Sequence, residues 1–120
     1  MAKMNDQVQA TINTVKPALV ATADGSGKPN VSAKGSLRII DDEHIAFADV
    51  ASPRTVANIK ENSKVSIIVL GNDENKGCRV WGTAKVEDSG EVFDTFAKAM
   101  AEKNMTVNNV VVVDVEEVEA

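Results

Sequence analysis

Ser52, Pro53, Arg54 and Thr55 open the stretch SPRTVANIKEN, which reads as a short helix. Ser52 is of a type that caps, Pro53 suits the first helical position, and Asn62 can close the last turn. Arg54 then falls in the first turn, where the helix dipole already presents partial positive charge and an acid is the usual choice. Anion binding would reconcile these residues. Open N–H groups at a helix start favour a phosphate, the Arg54 guanidinium matches its oxygens with a planar fork, and Thr55 adds a hydroxyl donor. The same four residues also suit an ordinary helix start with its arginine in water, at a cost of roughly a few tenths of a kcal/mol.

A second group lies in NVSAKGS, residues 30–36. Ser32, Lys34 and Ser36 alternate and share one face of a strand, while Val31 and Ala33 take the other. A polar face centred on a lysine can reach a phosphate or the polar edge of a ligand. It is also what a solvent-facing strand looks like.

The remaining reactive types form no familiar set. His44, the one histidine, begins a strand after the acidic turn DDE and reads as exposed and structural. No Ser, Cys or Asp pattern accompanies it, so no catalytic residue is assigned. Cys78 reads as a small apolar filler, and one histidine with one cysteine cannot supply the usual zinc set.

The elements that position these residues follow from periodicity. Met4, Val8, Ile12 and Val15 predict an amphipathic helix ending before Pro17. PALVATA predicts a strand, DGSGK a turn, and residues 29–40 one long strand with a break or bulge at Gly35. HIAFADV follows after DDE, so these three strands read as a meander. After the SPRT helix come KVSIIVL, a central strand by its apolar end, the polar loop GNDENK, and GCRVWGTAKVE with a bulge at Gly82. Asp88 and Glu91 resemble a capping box for a helix burying Val92, Phe93, Phe96, Ala97 and Met100. NNVVVVDVEEVE closes as an interior or interface strand. Tight turns between strands favour antiparallel pairing, so the fold expected is mainly β with flanking helices in a small six-stranded barrel.

The 120 residues are expected to form one domain, 1–120, around one aliphatic core, because only Phe47, Trp81, Phe93 and Phe96 are aromatic. A net charge of −5 and so few aromatics argue against a nucleic-acid surface but leave room for a small anion at a local basic cluster. No run is long and apolar enough for a membrane span or a signal peptide, and the single cysteine suits a reducing compartment, so the expectation is cytoplasmic.

From about Pro17 to Val86 the sequence resembles the pyridoxamine 5′-phosphate oxidase-like FMN-binding split barrels. The resemblance is carried by ALVATADGSGKPNVS, IAFADV, SPRTVANIKENSKVSIIVL and GCRVWGTAKV in that order. Its most specific part is Arg54 and Thr55 followed by Asn58, Ile59, Asn62 and Val65. The resemblance implies a six-stranded antiparallel split β-barrel, dimeric, with FMN in a groove between identical subunits. It implies that Arg54 and Thr55, beside Ser52, hold the phosphate with help from the strand carrying Val31, Ser32, Ala33 and Lys34. It implies that the isoalloxazine rests against the backbone of Phe47, Ala48 and Asp49, with Trp81 and Gly82 near the ring or the partner subunit.

The function this implies is that of a small flavin-dependent oxidoreductase or electron carrier, served by a redox partner or NAD(P)H. The family's best-known oxidase grips pyridoxamine with a C-terminal segment containing arginine and histidine. Here no Arg, Lys or His follows Lys103, so vitamin B6 oxidation is not expected. The alternative is a binding or storage module for haem, with His44 as ligand, or for a deazaflavin. The reading of Trp81 favours barrel filling or the dimer contact.

Overall fold

The structure, a computed structural model, describes residues 2–120. In chain order the elements are α1 (Asp6–Thr14), β1 (Ala18–Ala23), β2 (Pro29–Lys34), β3 (Arg38–Asp41) and β4 (His44–Asp49). Then follow α2 (Pro53–Glu61), β5 (Lys64–Val69), β6 (Cys78–Glu87), α3 (Glu91–Ala101) and β7 (Asn109–Glu119).

Local chemistry accounts for the starts and stops. Asn5 caps α1 by accepting from the Val8 N–H at 2.9 Å, and the Val15 N–H closes on Thr11. Between β1 and β2, Asp24 Oδ1 accepts from the Ser26 and Lys28 N–H groups, and Gly27 adopts φ 90° where the turn needs it. Asn62 closes α2 by donating its N–H to Asn58. The predicted capping box at α3 is corrected: the helix begins after Gly90, at φ 105°, and no side chain caps it.

The strands form one antiparallel sheet in the order β2-β1-β5-β6-β7-β4-β3. This corrects two expectations. There are seven strands rather than six, because the stretch 29–40 breaks at Gly35–Leu37. Nor do the first three segments form a meander, because β2 and β3 lie at opposite edges of the sheet.

That break also explains the curvature. Seven strands laid flat would separate the edges by about 29 Å. Yet Lys34 and Arg38 are four Cα steps apart, at most about 15 Å. The sheet must therefore curl until its edges approach, and no ladder joins β2 to β3. The result is a half-barrel with a seam, which is the split-barrel class.

Inside the curl pack Val20, Ile45, Phe47, Ile67, Val80, Val111 and Val113, joined by Met4, Val8 and Ile12 from the α1 region and Ile59 from α2. A second cluster forms outside, where Ala46, Ala48, Val110 and Val112 meet Phe96 of α3. β4 and β7 are thus apolar on both faces, the physical reason for the unbroken run Val110–Val113. Cys78 is part of the inner cluster, and burial pushes its thiol up.

Candidate functional site

The seam is where polar side chains gather. β2 pairs with β1 so that Ser32 faces Val20 and Lys34 faces Ala18, both barrel-side residues. Ser32 and Lys34 therefore point inward, and Lys34 is only 8 % exposed, whereas Val31 on the other face is 65 % exposed. The plain solvent face that the alternation also allowed is excluded, since it is the apolar residue that faces out.

A hydrogen-bonded chain fixes the lysine. Lys34 Nζ donates to Ser52 Oγ. Ser52 Oγ in turn donates to Asp49 Oδ1 at 2.8 Å, and the Ser52 N–H reaches the same oxygen at 2.9 Å. Asn109 Nδ2 holds the other oxygen, Asp49 Oδ2, at 3.1 Å. Burial alone would raise the Asp49 carboxyl, but the bonds from Asn109 and Ser52 and the charge of Lys34 outweigh it and hold it below the usual range. For Lys34, burial pushes the ammonium down while the charge of Asp49 pulls the other way. Lys34 Nζ also lies 5.6 Å from the centre of the Phe47 ring.

The capping role expected of Ser52 is corrected by this chain. Its hydroxyl turns back to Asp49, so no side chain caps α2. The N–H groups of Arg54 and Thr55 lie in the first turn, where no intrahelical carbonyl can reach them. Pro53 does occupy the first helical position.

Two clefts open along β2. The larger, about 400 Å³, is lined by Ser32, Lys34, Ser36, Ala48, Ser52 and Met100, with Ala33, Val50, Lys103 and Met105 completing its wall. Ser36 Oγ accepts from the Ala48 N–H at 2.9 Å where β3 no longer covers β4. The smaller cleft, about 300 Å³, contains Asn30, Arg54 and Asn58, flanked by Lys28, Asp24 and Glu61. Arg54 is exposed there and, among the described residues, makes no ion pair. Asn58 donates to Thr22 at 3.1 Å and is buried, as is Thr55. Asn30 and Ser32 stand on the same strand face, about 7 Å apart, so the clefts adjoin.

A third cleft of about 290 Å³ continues from the larger one past Gly35 and Ser36. It contains Lys16, Arg38 and Lys103 and, among the described residues, no carboxylate on its wall. Lys16 Nζ donates to the carbonyls of Ile12 and Leu37, and Arg38 stacks 4.1 Å from the centre of the Phe96 ring. Burial, then the charge of Arg38, pushes the Lys16 ammonium down.

The structure thus brings Ser32, Ala33, Lys34, Ala48 and Ser52 to one cavity and Arg54 to its neighbour, with Asp49 buried behind Ser52. It does not bring the others. Phe47 is wholly buried in the barrel and not part of the cavity wall, its ring lying beneath the Lys34 ammonium. Trp81 fills neither barrel nor cleft. It pairs with Ser66 and Glu117 on the outer face, because inward-facing Val80 and Cys78 set the alternation. Gly82 sits at the expected bulge, pressed against Asp114 and Val113.

His44 is held at the far end of β4, with Nδ1 2.7 Å from Asp41 and Nε2 3.1 Å from Asp114. Among the described residues no three His, Cys, Asp or Glu side chains gather as a metal set, and no helix is long and apolar enough to cross a membrane.

Sequence reasoning missed Asn109, Lys103, Met105, Lys16 and Arg38 as parts of this region. Nothing in their spacing links residue 16 or 109 to residue 34.

The chemistry available is that of holding and orienting. Hydroxyls, ammonium groups and a guanidinium can bind oxygens, and Ala48, Val50, Met100 and Met105 offer apolar wall.

Comparison with known proteins identifies the family. The sequence profile of pyridoxamine 5′-phosphate oxidase matches residues 4–120. HupZ of Group A Streptococcus is 29 % identical, with 96 % of this chain and 91 % of that chain aligned and a TM-score of 0.84. An FMN-binding protein from Syntrophomonas wolfei is 26 % identical, with 95 % and 83 % aligned and a TM-score of 0.84. HutZ, the haem storage protein from Vibrio cholerae, shares the fold at 17 % identity, 99 % and 95 % coverage and a TM-score of 0.72. No curated protein matches the sequence. With the family profile spanning nearly the whole chain and the curled sheet in place, this protein belongs to the pyridoxamine 5′-phosphate oxidase family.

Proposed function

We propose that the protein binds FMN in the two adjoining clefts and serves as a small redox protein, a flavin-dependent oxidoreductase or electron carrier. One observation carries this reading: the seam joins a cleft with an unpaired cation to a larger cavity with hydroxyls and apolar wall. Volumes of about 300 and 400 Å³ fall in the range of roughly 300–1,000 Å³ of small-molecule sites. The donor set fits a flavin nucleotide. Arg54 and the uncapped helix start suit its phosphate, and Ser32, Ser36 and Ser52 suit polar edges between apolar walls. The Syntrophomonas relative, described as FMN-binding, supports the same assignment.

When bound, the flavin supplies the electron-transfer chemistry. The chain's part is to seat the phosphate at α2, to hold the ring against β4 and to keep water from its apolar side with Met100 and Met105. The third cleft, with Lys16, Arg38 and Lys103, suits an anionic electron donor such as NAD(P)H.

A homodimer fits the outer face. Val31, Ala21, Ser66 and Trp81 lie in one cross-strand row, and Ala33, Leu19 and Ile68 in the next. This surface is largely apolar, with Ser66 within it and Arg79 and Glu117 at its far edge, and a second copy would cover it. The haem alternative loses its ligand, because both nitrogens of His44 are engaged by carboxylates away from the cavity.

The test is an absorbance spectrum of the purified protein, then titration with FMN, haem and a deazaflavin. Flavin absorbance or saturable quenching of FMN emission is expected. A Soret band with no response to FMN would overturn the flavin reading.

A further inference from the structure

Lys34 is a cation in an unusual position for this groove. It lines the larger cavity yet is nearly buried, and its counter-charge does not touch it. Ser52 stands between Lys34 Nζ and Asp49, and Asp49 is not part of the cavity wall. Asp49 is also spoken for by the Ser52 N–H and hydroxyl and by Asn109. An ammonium has three N–H donors. One goes to Ser52, and the neighbouring groups (the Phe47 ring and the Ser32 and Ser36 hydroxyls) carry no charge. Among the described residues the only other charged side chain on the wall, Lys103, is exposed and therefore screened by water. A ligand in this cavity consequently meets one buried positive charge with spare donor capacity, whose counter-charge on Asp49 lies behind Ser52 and out of the ligand's reach.

The inference rests on the flavin reading above. Reduction of the flavin ring by two electrons with uptake of one proton adds one negative charge to it. A buried cation beside that ring favours the reduced form, and the effect is large where the dielectric is low. We propose that Lys34 sets how much more tightly the groove holds reduced, anionic FMN than oxidised FMN, and so raises the potential of the bound cofactor. Lys34 is then a tuning residue of the site, and Ser52 and Asp49 are the groups that position it.

The experiment uses the full chain with FMN, reduced stepwise by dithionite against a reference dye. FMN quenching by the unaltered protein comes first. If it binds no FMN, the flavin reading fails and this inference fails with it.

With binding established, Lys34→Met is expected to lower the ratio of reduced to oxidised affinity at least tenfold. For a two-electron couple that is a potential about 30 mV more negative. Lys34→Gln keeps a donor for Ser52 and guards against loss of the fold; it should shift the potential the same way. Lys34→Arg should hold it near the original value, and Lys85→Met, an exposed lysine of β6 outside the clefts, should leave it there. A purely structural lysine would weaken both oxidation states alike and leave the potential still. The inference is overturned if the two neutral variants bind FMN and titrate at the unaltered potential, or if Lys85→Met produces the same shift.

Discussion

Ser52 gives both its hydroxyl and its N–H to Asp49 Oδ1, at 2.8 and 2.9 Å. The serine that precedes α2 is thereby turned back toward β4 and away from the helix it introduces. One contact so leaves the helix start open, places an acceptor for Lys34, and ties the end of β4 to the seam. Because Asn109 holds the other Asp49 oxygen, β7 enters the same network.

Acid should dissolve this arrangement. The Asp49 carboxyl is held below its ordinary value in the fold, so the unfolded chain binds its proton more readily as pH falls. The stability it contributes is present above the unfolded value near 4 and is lost as pH drops through the lower, folded one. Asp49→Asn should cost about 1–3 kcal/mol at pH 7. Urea titrations across pH should show the gap between variant and original closing below about pH 4. A gap that stays constant with pH would remove the charge from the account.

Arg54→Ala should weaken FMN about ten- to a hundredfold, the loss of one charge-assisted bond of about 1.5–3 kcal/mol. Riboflavin, which lacks the phosphate, should bind the variant and the original protein equally. Fluorescence quenching with both ligands checks this, and equal loss for the two would assign Arg54 another role.

At Gly82 the backbone of β6 passes so close to β7 that a Cβ would collide with the Asp114 carbonyl and lie 2.6 Å from Val113 Cγ1. The carbonyl is held in the ladder and cannot yield as a flexible side chain would. Gly82→Ala should destabilise by about 1–3 kcal/mol, read as a lower Tm. Gly35→Ala, where a Cβ would meet nothing within 4 Å, is the matched control and should change little.

Trp81 stands on the outer face in the row of Val31, Ala21 and Ser66. Trp81→Glu should leave the fold intact, since the ring packs in neither core cluster, but should split a homodimer built on that face. Circular dichroism would show an unchanged spectrum while sedimentation reports the monomer mass. An unchanged sedimentation coefficient would move the subunit contact elsewhere.

What could be read along the chain was whatever a few adjacent residues decide. The turn at DGSGK, proline at the first position of α2 and the closing Asn62 each depend on neighbours within about four positions, so they were legible, and the glycine at 82 marked the bulge although its cause lies across the sheet in β7. The cation of Arg54 in the first turn of α2 was legible for the same reason, and so was the shared face of Ser32 and Lys34, whereas the uncapped start was not. Pairing across the sheet was not. The break after Lys34 sends two halves of one apparent strand to opposite edges, a result of burying both faces of β4 and β7 and of curling the sheet until its edges meet.

The same closure decided where the polar groups go. Only in the folded chain does Ser52 choose Asp49 over its own helix, and only there do Asn109, Met100 and Met105 reach a site begun some 70 positions earlier. Side-chain alternation and caps are properties of short segments, whereas which faces share a cavity is a property of the closed sheet. The sequence by itself therefore determined the elements, the candidate cation and the polar strand face. The tertiary structure alone decided that Lys34 is buried, that Ser52 bridges it to Asp49, and that the seam of the barrel is the place where they meet.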